Sequence, residues 1–341
     1  MMRLAAVIDA TVTIPGLKEL AMYRSSASIP FAGRYRLIDF ALSNIVNSNI
    51  SSVGVFASQQ SVSLMDHVGK GKSWDLDRRR NGLFFLPTSQ REGDQFSVGS
   101  FAALEDHLSF FRKSAQPYVM VTSAFTISQI NYNDMLEKHI ASGADITEAV
   151  HNGNCMKSYI LSKDLLLRMI KGFREERVVS VEDIVNLKKK PYTFAQYEYG
   201  GYFVLINSME SYFNESMALL DAENWRKLFL PERPIYTKVK DEPPTKYLKG
   251  SKVKRSLVAN GSLLDGEISD SILSRAVEIG KNSKLEKCII MQKCVIEEGC
   301  SLLYVVADKD VHIKAGTIIR GTKEKPVVIR KGSVVSEGDG V

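Results

Sequence analysis

The last third of the chain repeats aliphatic residues about every six positions, and few folds accommodate that rhythm. Ile279 is followed by Leu285, and Ile290 begins a second run at this spacing through Ile296 and Leu302. Glycines recur between these anchors. The pattern is typical of a β-helical solenoid, in which each short strand forms one side of a coil. A plain antiparallel sandwich is the alternative interpretation of the alternating apolar residues.

Three cysteines fit the same repeat, each two positions before an aliphatic anchor: Cys288, Cys294 and Cys300. A spacing of six and six is not a zinc-binding spacing, nor is it an obvious disulfide framework in a cytoplasmic chain. We therefore expect these thiols to be buried as small packing groups. Because an open coil end can template association, the solenoid also favours an oligomer.

The chain before residue 230 alternates short apolar segments with helical ones, which is typical of a parallel α/β sheet. Strands are predicted at Leu4–Ile8, Ser51–Ala57 and Pro117–Ser123, and helices at Leu37–Asn49 and Asn131–Gly143. The last helix starts at an asparagine and ends at a glycine, as capped helices do.

A proline-rich segment separates the two periodicities. Leu230–Tyr247 contains four of the ten prolines in the chain, and such clusters mark loops and linkers. The predicted boundaries are residues 1–229 for an α/β domain, 230–250 for a linker and 251–341 for the repeat domain.

The bulk composition narrows the class of protein. A chain of 341 residues with 44% hydrophobic and 25% charged residues is ordinary for a globular protein of two domains. It has no secretory pattern and no apolar run near the ~20 residues that span a bilayer, so we expect a cytoplasmic protein without a membrane partner. The net charge of +6 suits an anionic ligand such as a sugar phosphate, or is solvated surface charge. The basic runs are short and lack a nucleic-acid-reading motif, so no nucleic acid partner is expected.

Four segments carry a resemblance to ADP-glucose pyrophosphorylase (glucose-1-phosphate adenylyltransferase), and together they extend over essentially the whole chain. They are Pro30–Val55, His67–Arg78, Pro243–Tyr247 and Ile289–Cys300. The resemblance implies a Rossmann-like nucleotidyltransferase α/β domain followed by a left-handed parallel β-helix.

The chain departs from that family at the phosphate-binding loop. The family has A-G-G-x-G-x-R-L after its first strand, where glycines let backbone N–H groups surround a triphosphate. Here the segment is Ile8–Thr13, with no glycine, no arginine and an added carboxylate, Asp9. That carboxylate either repels a triphosphate or caps the junction between strand and loop. With either interpretation, an ATP cradle is not expected.

The catalytic positions that the resemblance implies are also replaced. Ser26 stands where the family has a lysine, and a hydroxyl does not neutralise developing phosphoryl charge as an ammonium does. Two family aspartates that hold Mg²⁺ correspond to Ala124 or Phe125 and to Leu205, none of which offers the oxygen ligand that Mg²⁺ requires. The family's sugar-phosphate segment with its E-K-P lysine is missing near Cys155, through either a natural deletion or residues absent from the sequence. We therefore expect no catalytic residue, no metal site and no cofactor in this chain.

Arginines are the candidate anion-binding residues. Arg24 and Arg36 match arginines that, in the family, lie near the effector-binding cleft between the α/β domain and the solenoid. Planar guanidinium groups suit phosphate, but Arg36 is also placed to pair with Asp39. Weaker candidates, for which surface charge is the simpler interpretation, complete the set: Arg34, Arg78, Arg79 and Arg80.

Two further residues of the matched motifs are interpreted as structural. His67 has no partner at metal-binding spacing, and Trp74 is expected to be a packing anchor.

The combined losses resemble the non-catalytic regulatory subunit of certain bacterial ADP-glucose pyrophosphorylases. That resemblance implies a homologous catalytic partner in a heterotetramer, Mg²⁺ held by that partner, and a phosphorylated effector. Two alternatives stay open from the residues alone. One is a working nucleotidyltransferase with an atypical loop, and the other is a stand-alone sugar-phosphate or nucleotide sensor.

Overall fold

The computed structural model describes residues 3–58, 61–78, 81–88 and 97–338, which form an α/β domain and a β-helix. The strands of the α/β domain are β1 (Leu4–Asp9), β2 (Pro30–Phe31), β3 (Tyr35–Arg36), β4 (Ser52–Ser58), β5 (Gly82–Thr88), β6 (Tyr118–Ser123), β7 (Thr126–Ser128), β8 (Ile146–His151), β9 (Asn154–Ser162), β10 (Phe194–Glu198) and β11 (Phe203–Leu205).

The helices of this domain connect the strands and cover both faces of its main sheet. They are α1 (Lys18–Ala21), α2 (Leu37–Asn47), α3 (Val62–Val68), α4 (Phe101–Glu105), α5 (Leu108–Lys113), α6 (Tyr132–Ser142), α7 (Lys163–Glu176), α8 (Val181–Asn186), α9 (Met209–Ala218) and α10 (Ala222–Leu228).

The main sheet has the strand order β10-β8-β9-β6-β1-β4-β5. Among the described strands, β9 runs antiparallel to β6 and β8, and the other neighbours are parallel. Every residue of β1 is buried, because strands of a parallel sheet are covered on both faces. The predicted α/β sheet is therefore confirmed, with one reversed strand added.

Helix α6 shows how the local sequence sets an element. Asn131 accepts the N–H of Asn133 with its side chain, and Gly143 adopts a left-handed conformation with φ of 63° after the last turn. Both caps were predicted, because an asparagine can satisfy a free N–H at a helix start and a glycine can end a helix at positive φ.

A tight hairpin takes the place of the family's sugar-phosphate segment. Strands β8 and β9 pair antiparallel up to His151 opposite Asn154, and the two residues between them, Asn152 and Gly153, have φ of 48° and 76°. Asparagine followed by glycine suits such a turn because both tolerate positive φ. The connection is thus as short as a hairpin allows.

The second domain is a left-handed parallel β-helix built from three sheets. Its strands are β12 (Lys246–Tyr247), β13 (Lys252–Lys254), β14 (Leu257–Val258), β15 (Leu263–Leu264), β16 (Glu267–Ser269), β17 (Ile272–Leu273), β18 (Glu278–Ile279), β19 (Lys284–Glu286), β20 (Ile289–Ile290), β21 (Val295–Ile296), β22 (Ser301–Leu303), β23 (Val305–Ala307), β24 (His312–Ile313), β25 (Ile318–Arg320), β26 (Val327–Ile329) and β27 (Val334–Val335). Paired strands are parallel, as in Leu285 beside Leu302. The solenoid prediction is confirmed, and the antiparallel sandwich is wrong.

The three repeat cysteines lie in the interior of the β-helix as free thiols. Each donates to a carbonyl oxygen of the next coil: Cys288 Sγ to Leu302 O at 3.5 Å, Cys294 Sγ to Asp308 O at 2.9 Å and Cys300 Sγ to Lys314 O at 3.1 Å. Burial raises the pKa of the Cys288 and Cys294 thiols to about 12. Their predicted role as buried packing groups is confirmed.

The proline-rich segment packs against the α/β domain rather than hanging free. Ile235 is buried, the N–H of Tyr236 donates to the Ser43 hydroxyl at 2.9 Å, and Asn47 donates its side-chain amide to the carbonyl of Pro234 at 3.1 Å. The first β-helix strand, β12, already begins inside the predicted linker. In the part of the chain that the structure describes, no helix is long and apolar enough to cross a bilayer.

Candidate functional site

The carboxyl group of Asp9, the last residue of β1, occupies the loop that follows this strand. Asp9 is buried and accepts three hydrogen bonds, from the N–H of Thr11 at 3.1 Å, the Thr11 hydroxyl at 2.6 Å and the N–H of Gly99 at 2.9 Å. Burial raises the pKa of Asp9 above its usual range, and these hydrogen bonds oppose that shift. Of the two interpretations of Asp9, the structure supports the cap. Backbone N–H groups that could face a phosphate instead bond to the Asp9 carboxyl group of the chain itself.

A second internal contact closes the same region. The carboxylate of Glu182 in α8 accepts the N–H of Val98 at 3.1 Å and pairs with the ammonium of Lys157 in β9. Lys157 adopts a left-handed conformation with φ of 54°, which is uncommon for a residue with a long side chain. Neither residue was singled out from the sequence, because they are 25 positions apart and belong to different elements.

Ser26 lies beside this loop in a buried 3-10 turn, Ser26–Ser28. The preceding Ser25 donates its hydroxyl to the carbonyl of Ala10 at 3.1 Å. The turn therefore packs directly on the segment that follows β1, and it presents no cation there.

The two positions that correspond to the metal-binding aspartates come together in space. Strands β7 and β11 pair antiparallel with Leu205 opposite Thr126, and the N–H of Ile206 donates to the carbonyl of Phe125 at 3.1 Å. Ala124 and Phe125 are buried, and Leu205 packs against the same apolar cluster. These side chains offer no oxygen, so they do not fit Mg²⁺. Within the described ranges, no group of three or more His, Cys, Asp or Glu is arranged to hold a metal ion.

A cluster of basic side chains lies between the two domains. Arg36, at the start of α2, donates from its guanidinium to the carbonyl of Ser63 at 2.7 Å and to the Ser63 hydroxyl at 3.1 Å. Its backbone N–H, not its guanidinium, donates to Asp39 at 3.0 Å. Burial lowers the pKa of Arg36 to about 10; Asp39 opposes that shift, and the neighbouring Arg24 adds to it.

Three further cations of this cluster were missed by sequence reasoning: Lys240, Arg275 and Lys309. Burial lowers the pKa of Lys309 to about 7, and Arg36, Arg24 and Lys240 lower it further, whereas Asp308 raises it. Burial and neighbouring cations also lower the pKa of Arg275 and of Lys240. Mutual repulsion among like charges is the condition that an added anion relieves. We name the cluster of Arg36, Lys240, Arg275 and Lys309 the basic cleft. Because its members come from distant parts of the chain, no local sequence motif predicts it.

Arg24 joins the two domains at the edge of the basic cleft. Its guanidinium lies 2.6 and 2.5 Å from the two carboxylate oxygens of Asp308 in the β-helix, and both side chains are buried. This pairing commits much of the Arg24 hydrogen-bonding capacity to a bond between domains. The predicted anion-binding role of Arg24 therefore requires that its guanidinium contact a ligand and Asp308 at the same time.

Two of the weaker arginine candidates, Arg34 and Arg78, lie on the surface. Arg34 is exposed and lies over the Tyr35 ring, with 5.4 Å between the guanidinium carbon and the ring centroid, and it contributes positive charge near Arg275. Arg78 pairs with the nearby Asp75 and donates to its carbonyl at 2.7 Å. Arg79 and Arg80 lie outside the described residues.

The structural interpretations of His67 and Trp74 agree with the geometry. His67 Nε2 lies 2.6 Å from Asp39 Oδ1, and both residues are buried. Trp74 is also buried, with its ring 6.0 Å from the imidazole in an edge-on arrangement. Burial lowers the pKa of His67, and its hydrogen bond to Asp39 opposes that shift. These three side chains fix the start of α2, from which Arg36 projects.

Comparisons with known proteins agree with this architecture. Residues 17–157 match the family model described as nucleotidyl transferase, and residues 243–338 match the one described as GlmU-like, C-terminal hexapeptide. The chain is 28% identical over 357 residues to glucose-1-phosphate adenylyltransferase of Clostridium perfringens, covering 91% of this chain and 90% of that one.

Higher identity is found to proteins named glycogen biosynthesis protein GlgD. The protein of Bacillus subtilis is 46% identical over 335 residues, and that of Geobacillus stearothermophilus is 46% identical over 337, each alignment covering 98% of both chains. Because each alignment covers 98% of both chains, no long segment of either relative is missing from this chain. The chain therefore belongs to the GlgD family of glycogen biosynthesis proteins and, more broadly, to the family of the glucose-1-phosphate adenylyltransferases.

Proposed function

We propose that this chain is a regulatory, catalytically impaired subunit of glucose-1-phosphate adenylyltransferase. The observation that supports this proposal is which residues occupy the positions of the family's nucleotide pocket. Its loop is satisfied by Asp9, and the positions of the metal ligands are held by Ala124, Phe125 and Leu205. A polyphosphate with Mg²⁺ needs unpaired donors and oxygen ligands, and Asp9, Ala124, Phe125 and Leu205 leave these described positions without either.

The biological setting follows from the relatives. Proteins 46% identical to this chain are named for glycogen biosynthesis, and a more distant relative is named for the adenylyltransferase reaction. A chain that keeps this scaffold without its chemistry acts by contact, so we infer a homologous catalytic subunit as partner in a cytoplasmic heterotetramer. In this assembly the partner holds Mg²⁺ and both substrates, and this chain needs no cofactor.

The basic cleft gives the subunit a means of sensing metabolites. Burial and neighbouring cations lower the pKa of each of its members, Arg36, Lys240, Arg275 and Lys309. A phosphorylated effector bound there relieves that repulsion and stabilises one arrangement of the two domains. If the partner prefers that arrangement in its active state, effector and activity are coupled.

The experiment is reconstitution with the adenylyltransferase encoded by the same genome. ADP-glucose formation is measured for the enzyme alone, for this chain alone, and for the co-expressed pair. We expect no turnover from this chain alone and a higher rate, or an altered effector response, from the pair. Turnover near ~1 s⁻¹ by the isolated chain, an ordinary rate for an enzyme, would overturn the proposal, as would an unchanged rate with no co-purification.

Restoring the family's catalytic residues distinguishes a catalytically impaired chain from an active nucleotidyltransferase with an atypical loop. The triple variant carries Ser26→Lys, Ala124→Asp and Leu205→Asp. We expect it to gain Mg²⁺-dependent nucleotide binding only when Asp9→Gly also frees the loop N–H groups of Thr11 and Gly99. Measurable ADP-glucose formation by the unaltered chain, equal to that of the variant carrying all four substitutions, would favour a working nucleotidyltransferase instead.

A further inference from the structure

A cavity of about 490 Å³ lies between helix α9 and one corner of the β-helix, and it shares no residue with the basic cleft. Its apolar wall is formed by Phe213 and Met217 of α9, by Leu220 and by the Tyr304 ring. The Phe213 and Tyr304 ring centroids are 6.0 Å apart. This volume lies within the range of small-molecule sites, which are mostly apolar and carry a few placed polar groups.

Charged side chains from successive coils of the β-helix form a second wall, which meets the apolar wall at Tyr304. Arg255 follows β13, Asp270 follows β16 and Lys287 follows β19, so these residues stack in one column that continues to Tyr304. Each has a positive φ, between 43° and 53°. The coil geometry thus repeats the same outward corner and aligns its side chains along the cavity.

The charges of this column leave a positive excess. Asp270 pairs with Arg255. The Lys287 ammonium donates to the Tyr304 hydroxyl at 3.0 Å and lies 5.0 Å from the centroid of that ring. The remaining lining carboxylate, Asp221, accepts two backbone N–H groups at the start of α10. The Lys287 ammonium also lies 3.7 Å from a carboxylate oxygen of the neighbouring, exposed Glu286, which is outside the cavity lining. The ammonium is therefore fixed beside an aromatic face, hydrogen-bonded to the Tyr304 hydroxyl and paired with one exposed carboxylate.

An insertion brings a further cation to the cavity. Leu303 pairs with Arg320, 17 residues later, but Val305 pairs with Val327, 22 residues later. The five extra residues form a turn in which Thr322 and Lys325 hydrogen-bond to each other. Lys323, between them, lines the cavity.

We propose that this cavity binds an organic phosphate with an aromatic ring, the ring lying against Tyr304 and Met217 and the phosphate between Lys287 and Lys323. Aromatic faces and apolar side chains favour a flat ring, and ammonium groups form charge-assisted bonds to phosphate. The site lies apart from the basic cleft and does not depend on the proposed regulatory role.

The test uses phenyl phosphate, with inorganic phosphate, phenol and glucose 1-phosphate as comparison probes. Binding and affinity are both measured by titration of the Met217 methyl resonance in protein labelled with ¹³C-methyl methionine, because Met217 lines this cavity and is not part of the basic cleft. We expect phenyl phosphate to shift the Met217 signal saturably, with an affinity at least about tenfold higher than that of each comparison probe. No saturable shift of Met217, or a Met217 shift that saturates at a lower concentration of glucose 1-phosphate, would overturn the proposal.

Variants locate the phosphate. Lys287→Met should weaken phenyl phosphate binding about tenfold, the loss typical of one charge-assisted hydrogen bond, and Lys287→Arg should retain most of it. Lys323→Ser should weaken it several-fold. The matched control is Lys281→Met, at an exposed lysine away from the cavity, which should bind as the unaltered protein does. Equal weakening by Lys281→Met and by Lys287→Met would contradict the assignment.

Discussion

At the residue scale, a single ion pair ties the two domains together. Arg24 and Asp308 are separated by 284 positions and are both buried, with their charged atoms 2.5 Å apart. Two charges removed from water stabilise a structure only while each compensates the other. Arg24→Met should therefore lower the free energy of unfolding by about 3–5 kcal/mol, because it leaves a buried carboxylate unpaired.

A double-mutant cycle in urea denaturation measures this coupling. The pair Arg24→Met with Asp308→Leu should be much less destabilised than the two single variants together, because no charge is then left alone. Additive losses would mean that the pair is not coupled in the folded protein.

Lys309 gives the stability of the protein a particular pH dependence. Its pKa in the folded state is about 7, against about 10.4 for an unperturbed lysine. Between about pH 7 and about pH 10.4, Lys309 is protonated in the unfolded chain but largely neutral in the folded protein. Its effect is therefore to make the free energy of unfolding rise with pH across this range, and its destabilisation of the fold is complete below pH 7. The groups responsible besides burial are Arg36, Arg24 and Lys240, with Asp308 acting in the opposite direction.

Lys309→Met should consequently stabilise the protein most at pH 6, with the advantage shrinking towards pH 10. Thermal or urea unfolding of both proteins across this range measures the difference. The exposed Lys331 supplies the control, since Lys331→Met should leave the pH profile unchanged. A constant difference between Lys309→Met and the unaltered protein at every pH would show that Lys309 keeps an ordinary pKa.

At the element scale, the β-helix depends on coils that stack too closely for side chains at certain corners. A Cβ atom at Gly280 would lie 2.6 Å from the backbone of Glu297 and Glu298 in the next coil, where strands stack at about 4.8 Å. Gly280→Ala should therefore destabilise the protein by about 1–3 kcal/mol, as overpacking does. Gly200→Ala is the matched control, because nothing lies within 4 Å of its added Cβ. Equal melting temperatures of the two variants would contradict this account of the corner.

Elements with a repeating or capped sequence were predictable, and contacts across long separations were not. The six-residue spacing predicted the β-helix because each aliphatic anchor fills the interior of a coil. Asn131 predicted the start of α6 because a helix cap is made by residues adjacent in sequence. The basic cleft draws Arg36, Lys240, Arg275 and Lys309 from separate elements, so only the packing of the two domains brings them together. The replacements at Ala124 and Leu205 could be identified from the sequence because the flanking strands still match the family. No local sequence pattern predicted the ion pair between Glu182 and Lys157.

At the scale of the whole molecule, the two domains share one core. Ile289, Met291 and Val306 of the β-helix belong to the same buried cluster as the face of the α/β domain that contains α2 and α9. The segment between the domains is itself packed, with Ile235 buried in that cluster. The proposed regulatory role requires such an interface, because a ligand between the domains would affect a partner only if the domains respond together.

This shared core predicts that the domains unfold together. Separate domains often unfold in separate steps, but here exposing the inner face of the β-helix also exposes the core of the α/β domain. Scanning calorimetry of the unaltered chain should show one transition, with calorimetric and van't Hoff enthalpies nearly equal. Val306→Asp, in the interface, should lower the midpoint of that whole transition, whereas Val334→Asp, at a β-helix position that is 62% exposed, should leave it in place. Two resolved transitions in the unaltered chain would mean that the domains are thermodynamically independent, and the basic cleft would then lack the rigid coupling through which an effector could act on a partner.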